Sequence, residues 1–270
     1  VSAASLTFTT GNWDSAQTIT VTGVDEDIID GSQDTTITMA VVDGSSDNNF
    51  DSLANQTVTA ATADDDSAGF TVTESSGSTG VSETGSTDTF TVVLTAEPAS
   101  NVVISVVSGD TAEATVSAAS LTFTTSNWDT AQTVTVTGVN DDIIDGSQNT
   151  TITMAVVDAS SDNNFDSLAN QTVTAATADD DSAGFTVTES SGSTGVSETG
   201  STDTFTVVLT AEPDSNVVIS VVSGDTAEAT VSAASLTFTT GNWDSAQTIT
   251  VTGVDEDIID GSQNTTITMA

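Results

Sequence analysis

The chain contains no lysine, arginine, histidine, cysteine or tyrosine, and only two prolines in 270 residues. Each absence excludes something. Without Lys or Arg there is nothing to neutralise nucleic-acid phosphates or to hold an anionic membrane surface. Without His or Cys there is no usual zinc ligand, no disulfide and no thiolate. The groups left for catalysis are carboxylates and hydroxyls. A glycosidase-like acid pair is the one reaction type still formally open, and we expect no enzyme. No apolar run approaches the roughly 20 residues of a membrane-spanning helix. What is present in excess is acid: 40 Asp and Glu give a formal net charge of −40. Self-repulsion on that scale opposes a compact state unless counter-ions bind. Yet 36% of the residues are hydrophobic, and they are patterned.

The segment VSAASLTFTT begins at Val1, Val116 and Val231, a period of 115 residues. That is a whole domain rather than a solenoid turn. The frame is set at DDDSAGF, where a strand ends in acids and a new one starts at Phe70. Residues 67–181 then form one complete repeat, 1–66 the C-terminal part of the preceding copy and 182–270 most of the next. The chain starts at Val1 without Met, and we read it as a window on a longer protein. Within a period, apolar residues alternate with threonine: Val134 and Val136; Ile152, Met154 and Val156; Phe90, Val92 and Leu94; Leu121 and Phe123; Val173 and Ala175. This alternation marks half-buried strands, rich in the residue types that suit them. Gly, Ser, Asn and Asp clusters separate the runs. About seven strands per repeat argue an all-β fold of tandem β-sandwiches. Trp13, Trp128 and Trp243 in NWD read as packing residues, with sugar stacking as the alternative.

The acids of the complete repeat fall mainly in loops: Glu83, Asp110, then Asp141, Asp142 and Asp145 in VNDDIIDG, then the triplet Asp179-Asp180-Asp181. Two adjacent carboxylates repel by roughly 4 kcal/mol at about 4 Å near a protein surface. Loops of a seven-stranded sandwich alternate between its two ends, so these four segments can share one. Solvated loop acids are the plain reading. Convergence with no Lys or Arg available favours a hard divalent cation, because Ca²⁺ takes six to eight oxygen ligands in flexible geometry. The candidate ligands in the corresponding segments are Asp25, Asp27, Asp30, Asp65 and Asp66 in the first copy, and Glu198, Asp225, Asp255, Asp257 and Asp260 in the last. Glu74, Asp88, Glu97, Asp129 and Asp158 read as solvated. DASSDNNFD, from Asp158 to Asp166, offers a second and weaker ion loop, though it lacks the EF-hand spacing.

VSETGSTDTFTVVLT, SGDTAEATV, SLTFTTSNWDTAQTVTVTGVNDDIIDG and the closing DDD resemble the Calx-beta domain. Tandem copies of that domain occur in sodium–calcium exchangers and large bacterial surface proteins. The resemblance implies a seven-stranded immunoglobulin-like sandwich with Ca²⁺ clustered at its C-terminal end; the number of carboxylates leaves room for more than one ion per repeat. The ligands it implies are Glu83, Asp110, Asp141, Asp142, Asp145, Asp180 and Asp181. Two departures stand out: SGDTAE replaces the family's DGTA, and Gly146-Ser147-Gln148 stands where a further acid is usual. Asn140 also replaces the aspartate found at Asp25 and Asp255.

The expected function is a calcium-stiffened extender repeat of an extracellular bacterial fibre or giant surface adhesin. The alternative is a carbohydrate- or protein-binding adhesion module. Expected partners are calcium ions, neighbouring repeats and other copies in a filament, with no nucleic acid and no membrane insertion in this segment. Asn55, Asn149, Asn170 and Asn264 match the N-glycosylation pattern.

Overall fold

A computed structural model describes residues 1–259 and 261–270. Asp260, one of the expected ligands, lies outside the described residues. The protein is all-β. Two strands come first, β1 (Gln33–Met39) and β2 (Gln56–Thr62), paired antiparallel with Ile37 opposite Val58. Then follow β3 (Phe70–Glu74), β4 (Thr79–Ser82), β5 (Thr87–Leu94), β6 (Val102–Ser108), β7 (Ala114–Val116), β8 (Ser120–Phe123), β9 (Gln132–Gly138), β10 (Gln148–Val156) and β11 (Gln171–Ala178). The third group is β12 (Phe185–Glu189), β13 (Thr202–Leu209), β14 (Val217–Ser223), β15 (Ala229–Val231), β16 (Ser235–Phe238), β17 (Gln247–Gly253) and β18 (Ile267–Met269).

The middle group forms a two-layer sandwich. One sheet runs β3-β5-β9-β7 and the other β4-β11-β10-β6-β8. The alternation seen in the sequence decides what lies between them. Phe90, Val92, Leu94, Val134 and Val136 face inward from the first sheet, and Ile104, Phe123, Ile152 and Met154 from the second. Each such side chain stabilises the fold by about 1.5–3 kcal/mol relative to an exposed one. Trp128 packs against this core, and its carbonyl accepts the Leu94 N–H at 3.1 Å.

Seven strands become nine segments here. The first strand breaks at Ser75–Ser78, where Gly77 takes φ +81. The chain thereby changes sheets: β3 pairs antiparallel with β5, and β4 pairs parallel with β11. The third group repeats the first sheet as β12-β13-β17-β15 but only part of the second, β16-β14-β18, with no counterpart of β4 or β11 among the described residues; Phe238, Ile249 and Val207 are fully buried in its own core.

The first copy shows what strand formation needs. Leu6, Phe8, Ile19 and Val21 hold the positions of Leu121, Phe123, Val134 and Val136, yet residues 1–27 contain no strand. In the complete sandwich β8 pairs with β6 and β9 with β5. The first copy has no such partners among the described residues, and Phe8 is 54% exposed where Phe123 is fully buried. Threonine-rich alternation becomes a strand only when a neighbouring strand satisfies its backbone.

Candidate metal centre

The turn between β4 and β5 carries Glu83. The Glu83 N–H donates to the Ala178 carbonyl (3.1 Å), and the Gly85 N–H closes the turn onto Ser82 (3.0 Å), with Gly85 at φ +80. Behind the turn the end of β9 comes so close that a Cβ on Gly138 would lie 2.2 Å from the Ser82 carbonyl oxygen. Only glycine fits there. The result is a carboxylate directed inward: Glu83 is 1% exposed. One of its oxygens, Oε2, accepts the Asp180 N–H at 3.4 Å, and the other, Oε1, is buried with no hydrogen-bond partner. A buried, unpartnered charged oxygen costs several kcal/mol.

The acids after β11 face it. Asp179 ties the neighbouring loop in place: its Oδ2 accepts the Gly146 N–H (2.8 Å) and its Oδ1 accepts the Asp181 N–H (2.7 Å). Asp64 does the same in the first copy, accepting the N–H of Gly31 (2.6 Å) and of Asp66 (2.9 Å). One ligand oxygen from each of Glu83, Asp179 and Asp181 lies within 4.8 Å of the others. Two oxygens on opposite sides of one Ca²⁺, each about 2.4 Å away, would be about 4.8 Å apart. The third strand group holds a differently composed set, Glu198, Glu228 and Glu256, within the same limit; these stand at the positions of Glu83, Glu113 and Asp141.

The electrostatics agree with the geometry. Burial pushes the Glu83 carboxyl above the ordinary carboxylate range; the Asp180 N–H opposes this, and the fields of Asp141, Asp179 and Asp145 add to the rise. Burial also raises Asp181, reinforced by Asp142, Asp180, Asp179 and Asp141. Glu113 is raised by burial and then by Asp145, Asp141 and Asp110, and its Oε2 is buried without a partner. In the first copy Asp66 is raised by burial and by Asp64, Asp65, Asp27 and Asp25. Four chain segments therefore press negative charge on one another at one end of the sandwich.

The expected residues are distributed as follows. Glu83 and Asp181 lie in the tight group, with Asp141, Asp142, Asp145 and Asp180 close enough to act on it electrostatically. Asp110 caps its own turn, its Oδ1 accepting the Ala112 N–H at 2.9 Å. Asp225 does likewise with Ala227. Asp25, Asp27 and Asp65 act on Asp66, while the Asp30 carbonyl accepts the Gln33 side chain. Glu198 is in the second group, whereas Asp255 and Asp257 are exposed and outside it. Asp179, Glu113, Glu228 and Glu256 are absent from the set that the sequence resemblance implies. Glu113 sits three residues after Asp110 in SGDTAE, and that shifted spacing is the signal for it.

One solvated reading is corrected. Asp88 is half-buried and accepts hydrogen bonds from Ser75 Oγ (2.6 Å), Thr89 N–H (2.7 Å) and Gly80 N–H (3.0 Å), which hold its carboxyl below the usual range. In the proposed second ion loop, both Asp162 oxygens are engaged by backbone, with Ser100 at 2.9 Å and Asn164 at 3.0 Å. Asn55, Asn149, Asn170 and Asn264 are all exposed.

No family model and no curated relative matches the chain. Among solved structures it is similar to the calcium-binding domain CBD12 of CALX1.1, at 14% identity over 69% of this chain and 76% of that one, with a TM-score of 0.32. It is also similar to the apo form of the Calx CBD1 domain, at 13% identity over 42% of this chain and 98% of that one, TM-score 0.29. A third likeness is to domains 4–9 of the surface layer protein SbsC, at 15% identity over 81% of this chain and 33% of that one, TM-score 0.31.

Proposed function

We propose that the chain is a calcium-binding structural segment, in which β-sandwiches strung end to end form part of an extracellular bacterial fibre or giant adhesin. The observation that carries this reading is Glu83 Oε1, buried without a partner beside Asp179 and Asp181 in a sequence with no Lys or Arg. A dissolved hard cation supplies what the protein lacks. Glu83, Asp179 and Asp181 would hold it, with Glu113 and Asp141 beside them. Its role is to neutralise and cross-link loops. Nearly identical copies and a seam as short as Ser182-Ala183-Gly184 suit spacing better than varied recognition. Extracellular modules bind Ca²⁺ with Kd of about 10⁻⁴–10⁻³ M, which suits millimolar calcium outside cells.

Calorimetric titration of the intact chain tests this. Calcium should bind in that affinity range, and Mg²⁺, which keeps its waters and demands octahedral geometry, should bind more weakly. Absence of calcium binding up to about 10 mM, well above that range, ends the proposal.

A further inference from the structure

An apolar pair sits in the middle of each acidic loop: Ile28-Ile29 in DEDIID, Ile143-Ile144 in NDDIID and Ile258-Ile259 in DEDIID. Metal ligation has no use for it. In the structure the first pair reaches the following sandwich. Ile28 forms a parallel bridge with Glu97, and the Glu97 N–H donates to the Asp27 carbonyl at 2.7 Å. Ile29 is half-buried against the core of that sandwich, and the Asn164 side chain donates to the Ile29 carbonyl at 3.2 Å. One period later the backbone contact recurs: Ile143 bridges Glu212, and the Glu212 N–H donates to the Asp142 carbonyl, again at 2.7 Å.

Exposure of the pair tracks how much of a following sandwich is present. Ile28 and Ile29 are half-buried against a complete one. Ile143 and Ile144 are 37% and 43% exposed; the sandwich they meet has no counterpart of Phe165 or Leu168, which pack in the core of the complete one. Ile258 and Ile259, which meet no further sandwich among the described residues, are 63% and 104% exposed. Two neighbouring isoleucines exposed amid acids are costly in water and have the character of a docking element.

We infer that the isoleucine pair is a plug that docks each sandwich into the next, and that Ile258-Ile259 takes a further copy of the same sandwich as its partner. The socket lies beside the β5–β6 connection, where Glu97 stands between buried Ala96 and Pro98. The joint has a direction: the acidic loop of one copy always enters the copy that follows. It is apolar and backbone-mediated, so it stands independently of the calcium reading and persists when the metal is removed.

Amide hydrogen exchange on the intact chain in EDTA tests this, with the Phe90 and Val134 amides as internal references for the fold. The Glu97 and Glu212 amides should exchange at least about tenfold more slowly than free peptide. Ile29→Asp should abolish protection at Glu97 alone, and Ile144→Asp at Glu212 alone. Ile259→Asp should change neither. In a chain lengthened after Ala270 by a further copy of residues 156–270, the amides around Ile258-Ile259 should gain protection. Free exchange at Glu97 and Glu212 in the unmodified chain overturns the inference. So does protection at Glu97 that survives Ile29→Asp, or a lengthened chain whose Ile258-Ile259 segment stays unprotected.

Discussion

The complete sandwich should melt about 10 °C higher in ~10 mM calcium than in EDTA. A ligand at a hundredfold excess over its Kd adds about 2.7 kcal/mol to folding, and a Kd near 10⁻⁴ M places ~10 mM at that excess. A domain of this size shifts by about 4 °C per kcal/mol. The pH dependence should reverse sign between the two media. In EDTA, Glu83, Glu113 and Asp181 have carboxyls raised above the ordinary range, chiefly by burial. Between the ordinary and the raised values the native state binds more protons than the unfolded state, so stability falls as pH rises through that window. Mild acidification from neutrality should therefore stabilise the metal-free chain. Asp64, Asp88 and Asp203 are lowered by hydrogen bonds. Their contribution disappears only at more acidic pH, as each is protonated, and reverses the gain there. With calcium bound, stability should rise with pH across the same window, because the ion competes with protons for the carboxylates. Melting curves over a pH series in both media check this. Parallel slopes would remove the metal from the account.

Replacing Glu83 with Gln should separate metal binding from folding. The amide keeps the size and removes the buried charge, so the metal-free sandwich should melt unchanged or higher. Its calcium response should largely vanish, with an affinity loss on the order of 100-fold. The Glu198 group of the second sandwich remains intact and serves as an internal reference. Asp88→Asn is the contrast. Asp88 accepts three hydrogen bonds, from Ser75, Gly80 and Thr89, so that change should cost about 1–3 kcal/mol in both media and leave the calcium increment alone. Calorimetric titration and melting of both variants give the four values needed. A Glu83→Gln protein that is destabilised equally in EDTA and calcium would make Glu83 a structural residue only.

The strands were legible in the sequence because their cause is local. Phe90, Val92 and Leu94, or Val134 and Val136, alternate with threonine, and a strand puts every second residue on one face. All five are buried between the sheets. The break in the first strand was not legible, because the change of sheet depends on the pairing of β4 with β11, residues about 100 positions apart in the chain. The acidic end of the sandwich was visible as a concentration of loop carboxylates. Its membership was not, because that depends on which oxygens the backbone engages first. Asp110 is taken up by its own turn and Glu113 is not, although the two stand three residues apart. Asp179 both anchors Gly146 and belongs to the tight group. Nothing within the acidic loop itself says where its isoleucine pair goes; the contacts of Ile28 and Ile29 with the following sandwich do.

The central claim is that a cation bound among Glu83, Asp179 and Asp181 supplies the positive charge missing from the sequence. Anomalous scattering from crystals grown in calcium tests it most directly. The account predicts a calcium peak about 2.3–2.6 Å from oxygens of all three residues. Solvent water in that space, with the carboxylates turned apart, would contradict it.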